Sequence, residues 1–196
     1  MSIALPDMIT INQHFNVDSI PETEVEKRTI SIIEDSGHLK VLNKNHRVAV
    51  GVGSRGIANL RETVSGVCKA IKKTGARPFI FPAMGSHGGG TSQGQADVLA
   101  SLGIHRDSMN TEVISDATGI LAGHTEEGIP VYLDKNALEA DYVIVINRIK
   151  PHTKFEGAVE SGICKMLSVG IGKVQGATAV EMLNSGITGT VQTPGC

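Results

Sequence analysis

Apolar runs separated by glycine-rich loops set the pattern of this chain. Arg47-Val-Ala-Val-Gly-Val52 is nearly continuous in apolar residues, as a strand covered on both faces would be. A glycine turn follows, then a long amphipathic stretch that ends in lysines and is closed by Gly75, as a helix would be. Arg77 to Pro82 is the next apolar run, so the order strand, helix, strand predicts a parallel pair joined by a right-handed crossover. Upstream, Pro21 and the acids behind it, with Val25, Ile30 and Ile33 near helical spacing, predict a helix from about Glu22 to Asp35 with a solvated acidic end. Met8 to Phe15 reads as a further strand.

Downstream of the second glycine-rich loop, a helix is expected over Ser92 to Leu102. Residues 104 to 140 read as the outer part of the sheet. Thr111 to Ser115 and Ile129 to Leu133 are short strands there, Gly119 to Gly128 is a hairpin-like loop, and Asn136 to Ala140 is a short helix. Tyr142 to Ile146 reads as a buried strand. A helix is expected from about Val159, and another short one after Lys173. The fold class is α/β: an open, mostly parallel sheet with helices on both faces, Rossmann-like, forming a single domain over residues 1–196.

Composition narrows the function. The formal net charge is −2, with no basic stripe, which sets nucleic acid and anionic membranes aside as partners. No window approaches the roughly 18 apolar residues of a membrane span, and no basic region precedes an apolar core at the start. Three widely spaced cysteines, none in a C-x-x-C pair, fit a reducing cytoplasm. Cys164 reads as a small packing residue.

Candidate chemistry gathers on the loops that leave the carboxyl ends of strands, where open α/β sheets place their ligands. The first loop spells G-x-G-x-x-G with Gly51, Gly53 and Gly56. A dinucleotide site would also want an acid at the end of the next strand, and Ile80-Phe-Pro-Ala-Met-Gly-Ser-His87 has none. Backbone amides at a helix start, with Gly53, Ser54 and Arg55 beside them, would still suit a phosphate or carboxylate; the alternative is a tight turn with a surface arginine. In the second loop His87 stands among glycines, which suits proton transfer or ligand binding; the alternative is a turn-capping histidine. His105, His124, Glu126 and Glu127 read as surface.

The third loop begins at Asn147, and Pro151 stiffens the backbone before His152. Lys165 follows among Ile163, Cys164, Met166 and Leu167. Two readings stand: an amine partly desolvated against the sheet and available for covalent work, or a lysine whose head reaches solvent.

Three motifs together, Gly51-Val-Gly-Ser-Arg-Gly-Ile-Ala-Asn59, Pro82-Ala-Met-Gly-Ser-His-Gly-Gly-Gly-Thr91 and the stretch from Asn147 to Met166, resemble the N-terminal domain of the nickel-dependent lactate racemase family. The resemblance runs over roughly residues 10 to 180, with the motifs in the family's order. It implies a racemase or epimerase of a small 2-hydroxy acid that works by hydride transfer to a nickel-pincer nucleotide. On that resemblance Lys165 matches the tethering lysine, His87 and His152 the paired acid/base histidines, and Arg55 an arginine of the anion site. Two departures stand out. Glu181 occupies the region where the family has a histidine ligand for nickel, and the chain reads as a fragment lacking the family's C-terminal domain. The other function classes are a non-catalytic phosphate or nucleotide-binding module and an NAD-dependent dehydrogenase fragment.

Overall fold

A computed structural model of the chain describes residues 9–14, 18–148 and 162–186, with side chains described as far as Glu181. The elements run α1 (Glu22–Ser36), β1 (Arg47–Val52), α2 (Leu60–Lys73), β2 (Arg77–Pro82), α3 (Ser92–Ser101), α4 (Arg106–Met109), β3 (Glu112–Val113) and β4 (Gly119–His124). Then come β5 (Pro130–Asp134), α5 (Lys135–Leu138), β6 (Tyr142–Ile146), α6 (Ile163–Lys165), a π turn over Met166–Gly170, and α7 (Lys173–Gly186).

Among the described residues four strands form one parallel sheet in the order β3-β2-β1-β6. Alternation along the two central strands divides the core. Val48, Val50, Val52 and Ile80 face α2 and α3, meeting Leu60, Val64, Val67, Cys68, Ile71 and Leu99. Ala49, Phe79 and Phe81 face the other way, onto Ala137 of α5, Met166 and Ile171. Helices thus cover both faces, as the α/β expectation required. Each fully buried Val, Ile or Phe adds about 1.5–3 kcal/mol of transfer free energy. Gly51 lies inside β1 because the second face is crowded there: a Cβ would come 3.0 Å from the Phe81 ring and 3.1 Å from Ala83.

α1 is pinned across α2 by close backbone approach. At Gly66 a Cβ would stand 2.8 Å from the Thr29 Cβ and 2.9 Å from the Glu26 carbonyl oxygen. Around this crossing Lys69 Nζ and Ser65 Oγ both donate to the Glu26 carboxylate at 2.6 Å, and Lys73 pairs with Glu34 at 2.7 Å. α2 ends as the sequence suggested, with Gly75 at φ +87°.

Three expectations are corrected. Residues 9–14 are irregular rather than a strand. Within 104–140 only Glu112–Val113 joins the sheet; Gly119–His124 is not a loop but β4, which pairs with β5 as a separate antiparallel ribbon. Such a ribbon needs only one covered face, and β4 is half-buried to exposed along its length. β6 sits at the sheet's edge, with Tyr142 and Val143 exposed and burial reached only at Ile146.

Burial pushes the Cys68 thiol up to about 11, from an ordinary value of 9.0. A raised folded-state value means stability intact below pH 9 and lost as pH climbs through 11. We expect about 2 kcal/mol to disappear over that span. Lys173, whose burial lowers its ammonium below 10.5, acts in the opposite sense. The difference between wild type and Cys68→Ala in urea melts at pH 8 and 11 therefore isolates the thiol; parallel pH slopes would refute it.

Candidate functional site

The carboxyl ends of β1, β2 and β6 open on the same edge of the sheet, and the loops leaving them approach one another there. Gly53 N donates to Ile146 O at 3.4 Å, joining the β1 and β6 ends. Arg148, just past β6, donates from Nη1 to Gly56 O at 3.2 Å. The β1–α2 connection runs from Gly53 to Asn59, and α2 starts only at Leu60. Gly51 is inside the strand and Gly56 is four residues short of α2, so the glycines lie ahead of the first turn of the helix. Two guanidinium groups, those of Arg55 and Arg148, meet this loop.

His87 lies on the β2–α3 loop, half-buried. Its ring stands between Ser54 Oγ, 2.5 Å from Nδ1, and Arg55 Nη2, 3.3 Å from Nε2. A guanidinium has only donors, so Nε2 must accept. The ring proton is then on Nδ1, and the imidazole donates to Ser54 Oγ. Ser54 is an acceptor here and receives no activation as a nucleophile. Burial first, then the charges of Arg55 and Lys165, hold the imidazole below its ordinary 6.5. His87 is thus neutral at neutral pH, with its lone pair facing an arginine.

The loop itself is fixed from behind. Thr91 Oγ1 caps α3 by accepting from Gly94 N at 3.1 Å. Gly85 N donates to Gly170 O at 3.1 Å, tying the loop to the π turn. Gly85 has φ +61°, and a Cβ there would stand 3.1 Å from Val169 O, so the position requires glycine.

Lys165 ends α6 and is exposed. The expected packing of Ile163, Met166 and Leu167 on the sheet holds for Met166, at 9% exposure, whereas Ile163 and Leu167 are 52% and 45% exposed. The charge of Lys165 acts on His87. Cys164, expected only to pack, is disulfide-bonded. His152 lies outside the described residues. Glu181 is exposed on α7, and among the described residues no group of three or more His, Cys, Asp or Glu is arranged to hold a metal ion.

Among the described residues the buried lysine is Lys173, which sequence reading passed over. It is 0% exposed, and its Nζ donates to Pro82 O at 2.7 Å and Gln95 Oε1 at 3.2 Å while facing Asp134 Oδ2 at 2.8 Å. Asp134, equally buried, accepts at Oδ1 from Asn136 N and Ala137 N, capping α5. The available signal was the run Val169-Gly-Ile-Gly-Lys173, where glycines around an apolar stretch let backbones close over a long side chain.

Among the described residues no helix is long and apolar enough to cross a membrane. No curated protein and no solved structure matches the chain. A family model described as the lactate racemase N-terminal domain matches residues 9–175, a span that takes in the Ser54–Arg55 loop, the His87 loop and the Lys165 turn. On that match, which extends over most of its length, this chain belongs to the lactate racemase N-terminal domain family.

Proposed function

We propose that this chain is the cofactor-holding part of an isomerase that inverts the carbinol centre of a small 2-hydroxy acid. The observation that carries the reading is the His87 ring held between Ser54 Oγ and the Arg55 guanidinium, with Nε2 facing Arg55 Nη2 at 3.3 Å. A substrate carboxylate drawn to Arg55 and Arg148 would take the guanidinium's donors. Nε2 would then be available to accept the proton of the neighbouring hydroxyl, while Nδ1–H stays on Ser54. His152, matched on the family's motif, is proposed as the base for the opposite enantiomer.

A nickel-pincer nucleotide fits part of this site. The exposed Lys165 would carry it, and Arg55, with Gly53 and Ser54 beside it, would receive its anionic groups. Bound there, the group would supply the acceptor and donor of hydride. Metal ligands are not found among the described residues, so no ligand set is assigned and Glu181 is given no role. Closure by a further domain belongs to the same proposal.

The test is conversion of a single enantiomer. Protein co-expressed with the cofactor-making enzymes is incubated with each enantiomer of lactate and of longer 2-hydroxy acids, and the products are separated on a chiral column. Inversion of at least one acid is expected; loaded protein that inverts none would overturn the reading. Arg55→Ala should raise KM about 10- to 100-fold, the worth of one charge-assisted hydrogen bond, with a smaller change in kcat. An unchanged KM would remove Arg55 from the site.

The two guanidinium groups that meet at the β1–α2 loop, Arg55 beside His87 and Arg148 on Gly56 O, support one second reading, a phosphate- or nucleotide-binding module without catalysis. It predicts calorimetric binding of nucleotides that Arg55→Ala weakens, with no isomer exchange under any loading.

A further inference from the structure

We propose that Gln95 is a positioning residue for His87, its carboxamide oriented by the buried Lys173–Asp134 pair. This rests on His87 being the proton acceptor, and it adds a layer that lies outside the ligand-facing loops. Gln95 is 0% exposed on α3. Its Nε2 donates to Gly85 O at 2.7 Å and His87 O at 3.3 Å, so a single amide group holds two carbonyls of the loop that carries the imidazole.

A buried carboxamide can present its oxygen or its nitrogen to either side, and only the surrounding donors decide which. Lys173 Nζ, a pure donor, stands 3.2 Å from Oε1. The oxygen must face the lysine, and the NH2 must face the loop. Lys173 is itself held by Pro82 O at the end of β2 and by Asp134 at the end of β5. Its backbone takes φ +57°, an unfavourable conformation for a side-chain-bearing residue, which persists because the three contacts determine it. The chain of orientation thus runs from Asp134 through Lys173 and Gln95 to the His87 backbone, and the ring then reaches Ser54 and Arg55. The charged groups acting on the ring are Arg55 and Lys165, while Lys173 pairs with Asp134 and is also influenced by the charge of Asp116.

The arrangement is tested by following the His87 ring carbon–proton signals against pH in wild type, Gln95→Met and Val64→Ala. Val64→Ala creates a cavity between α2 and the sheet without touching the Gln95–Gly85 and Gln95–His87 hydrogen bonds, and serves as a control for lost stability alone. Gln95→Met should move the His87 midpoint up by roughly half a pH unit or more as the ring leaves its buried position. It should also lower kcat about 10-fold with KM within about twofold, the signature of a displaced base. Val64→Ala should lower the melting temperature and leave the titration in place. Superposed titrations for Gln95→Met and wild type would overturn the proposal. Should Gln95→Met not fold, the wild type alone still decides: the Gln95 carboxamide protons are expected to exchange slowly with solvent, and rapid exchange would contradict the clamp. Failure of the underlying reading looks different. His87→Gln with undiminished isomer inversion would dismiss His87 as the base, while the Gln95→Met titration shift would stand unaffected.

Discussion

Asp134→Ala should cost about 3–5 kcal/mol of folding stability, because it leaves the Lys173 ammonium buried without its counter-charge. Both side chains are fully buried, so solvent screening does not soften the loss. The same substitution removes the two amide bonds that Asp134 accepts at the start of α5. For a domain whose total stability is about 5–15 kcal/mol, the variant would be partly unfolded at 37 °C. Replacing both partners, as Asp134→Asn with Lys173→Met, keeps the α5 cap and removes the charge, and should recover part of the loss. Urea melts of the two variants measure it. A single-variant loss below about 1 kcal/mol would mean that the pair is hydrated and does not organise the region.

His87→Gln should reduce turnover by about 10²- to 10⁴-fold, the range for loss of a positioned general base, with KM little changed. The glutamine can still fill the space between Ser54 and Arg55, so the loss reports proton transfer more than shape. The pH profile carries an independent sign. Because burial and the neighbouring cations favour the neutral ring, the acidic limb of kcat/KM should lie below the ordinary imidazole value of 6.5, and activity should persist as pH falls through that value. Arg55→Ala removes one of those cations, so its acidic limb should move to higher pH. An acidic limb at or above 6.5 in the wild-type enzyme would assign the proton acceptor elsewhere.

Much of the fold could be read from the order of residues because its central strands are the simplest objects in the chain. Arg47–Val52 and Arg77–Pro82 are buried on both faces and so are almost wholly apolar, and the helix between them ends at a glycine that adopts a left-handed backbone. The meeting of Arg55 with His87 was also legible, since both leave carboxyl ends of adjacent parallel strands. The β4–β5 ribbon was not. Its half-exposed residues satisfy a single neighbour and give no continuous apolar run, and β4 carries glycines where a strand would be recognised by branched side chains. The burial of Lys173, and not of Lys165, has a different cause. Both lie in apolar company along the chain, but burial of an ammonium depends on partners distant in sequence. Lys173 reaches Pro82, Gln95 and Asp134, separated from it by 91, 78 and 39 positions, and that convergence appears only when the sheet, α3 and β5 are assembled. Lys165 sits on a short turn whose apolar neighbours Ile163 and Leu167 are exposed, so it is not carried into the core.

The two lysines also provide the most direct test of the account. Protein co-expressed with the cofactor-making enzymes is digested, and the peptides carrying Lys165 and Lys173 are compared by mass spectrometry. The account predicts the added mass of the nucleotide group on Lys165, which is exposed beside His87, and an unmodified Lys173, whose ammonium is enclosed by Asp134, Gln95 and Pro82. Added mass on Lys173, or an unmodified Lys165 in protein that inverts a 2-hydroxy acid, would contradict it.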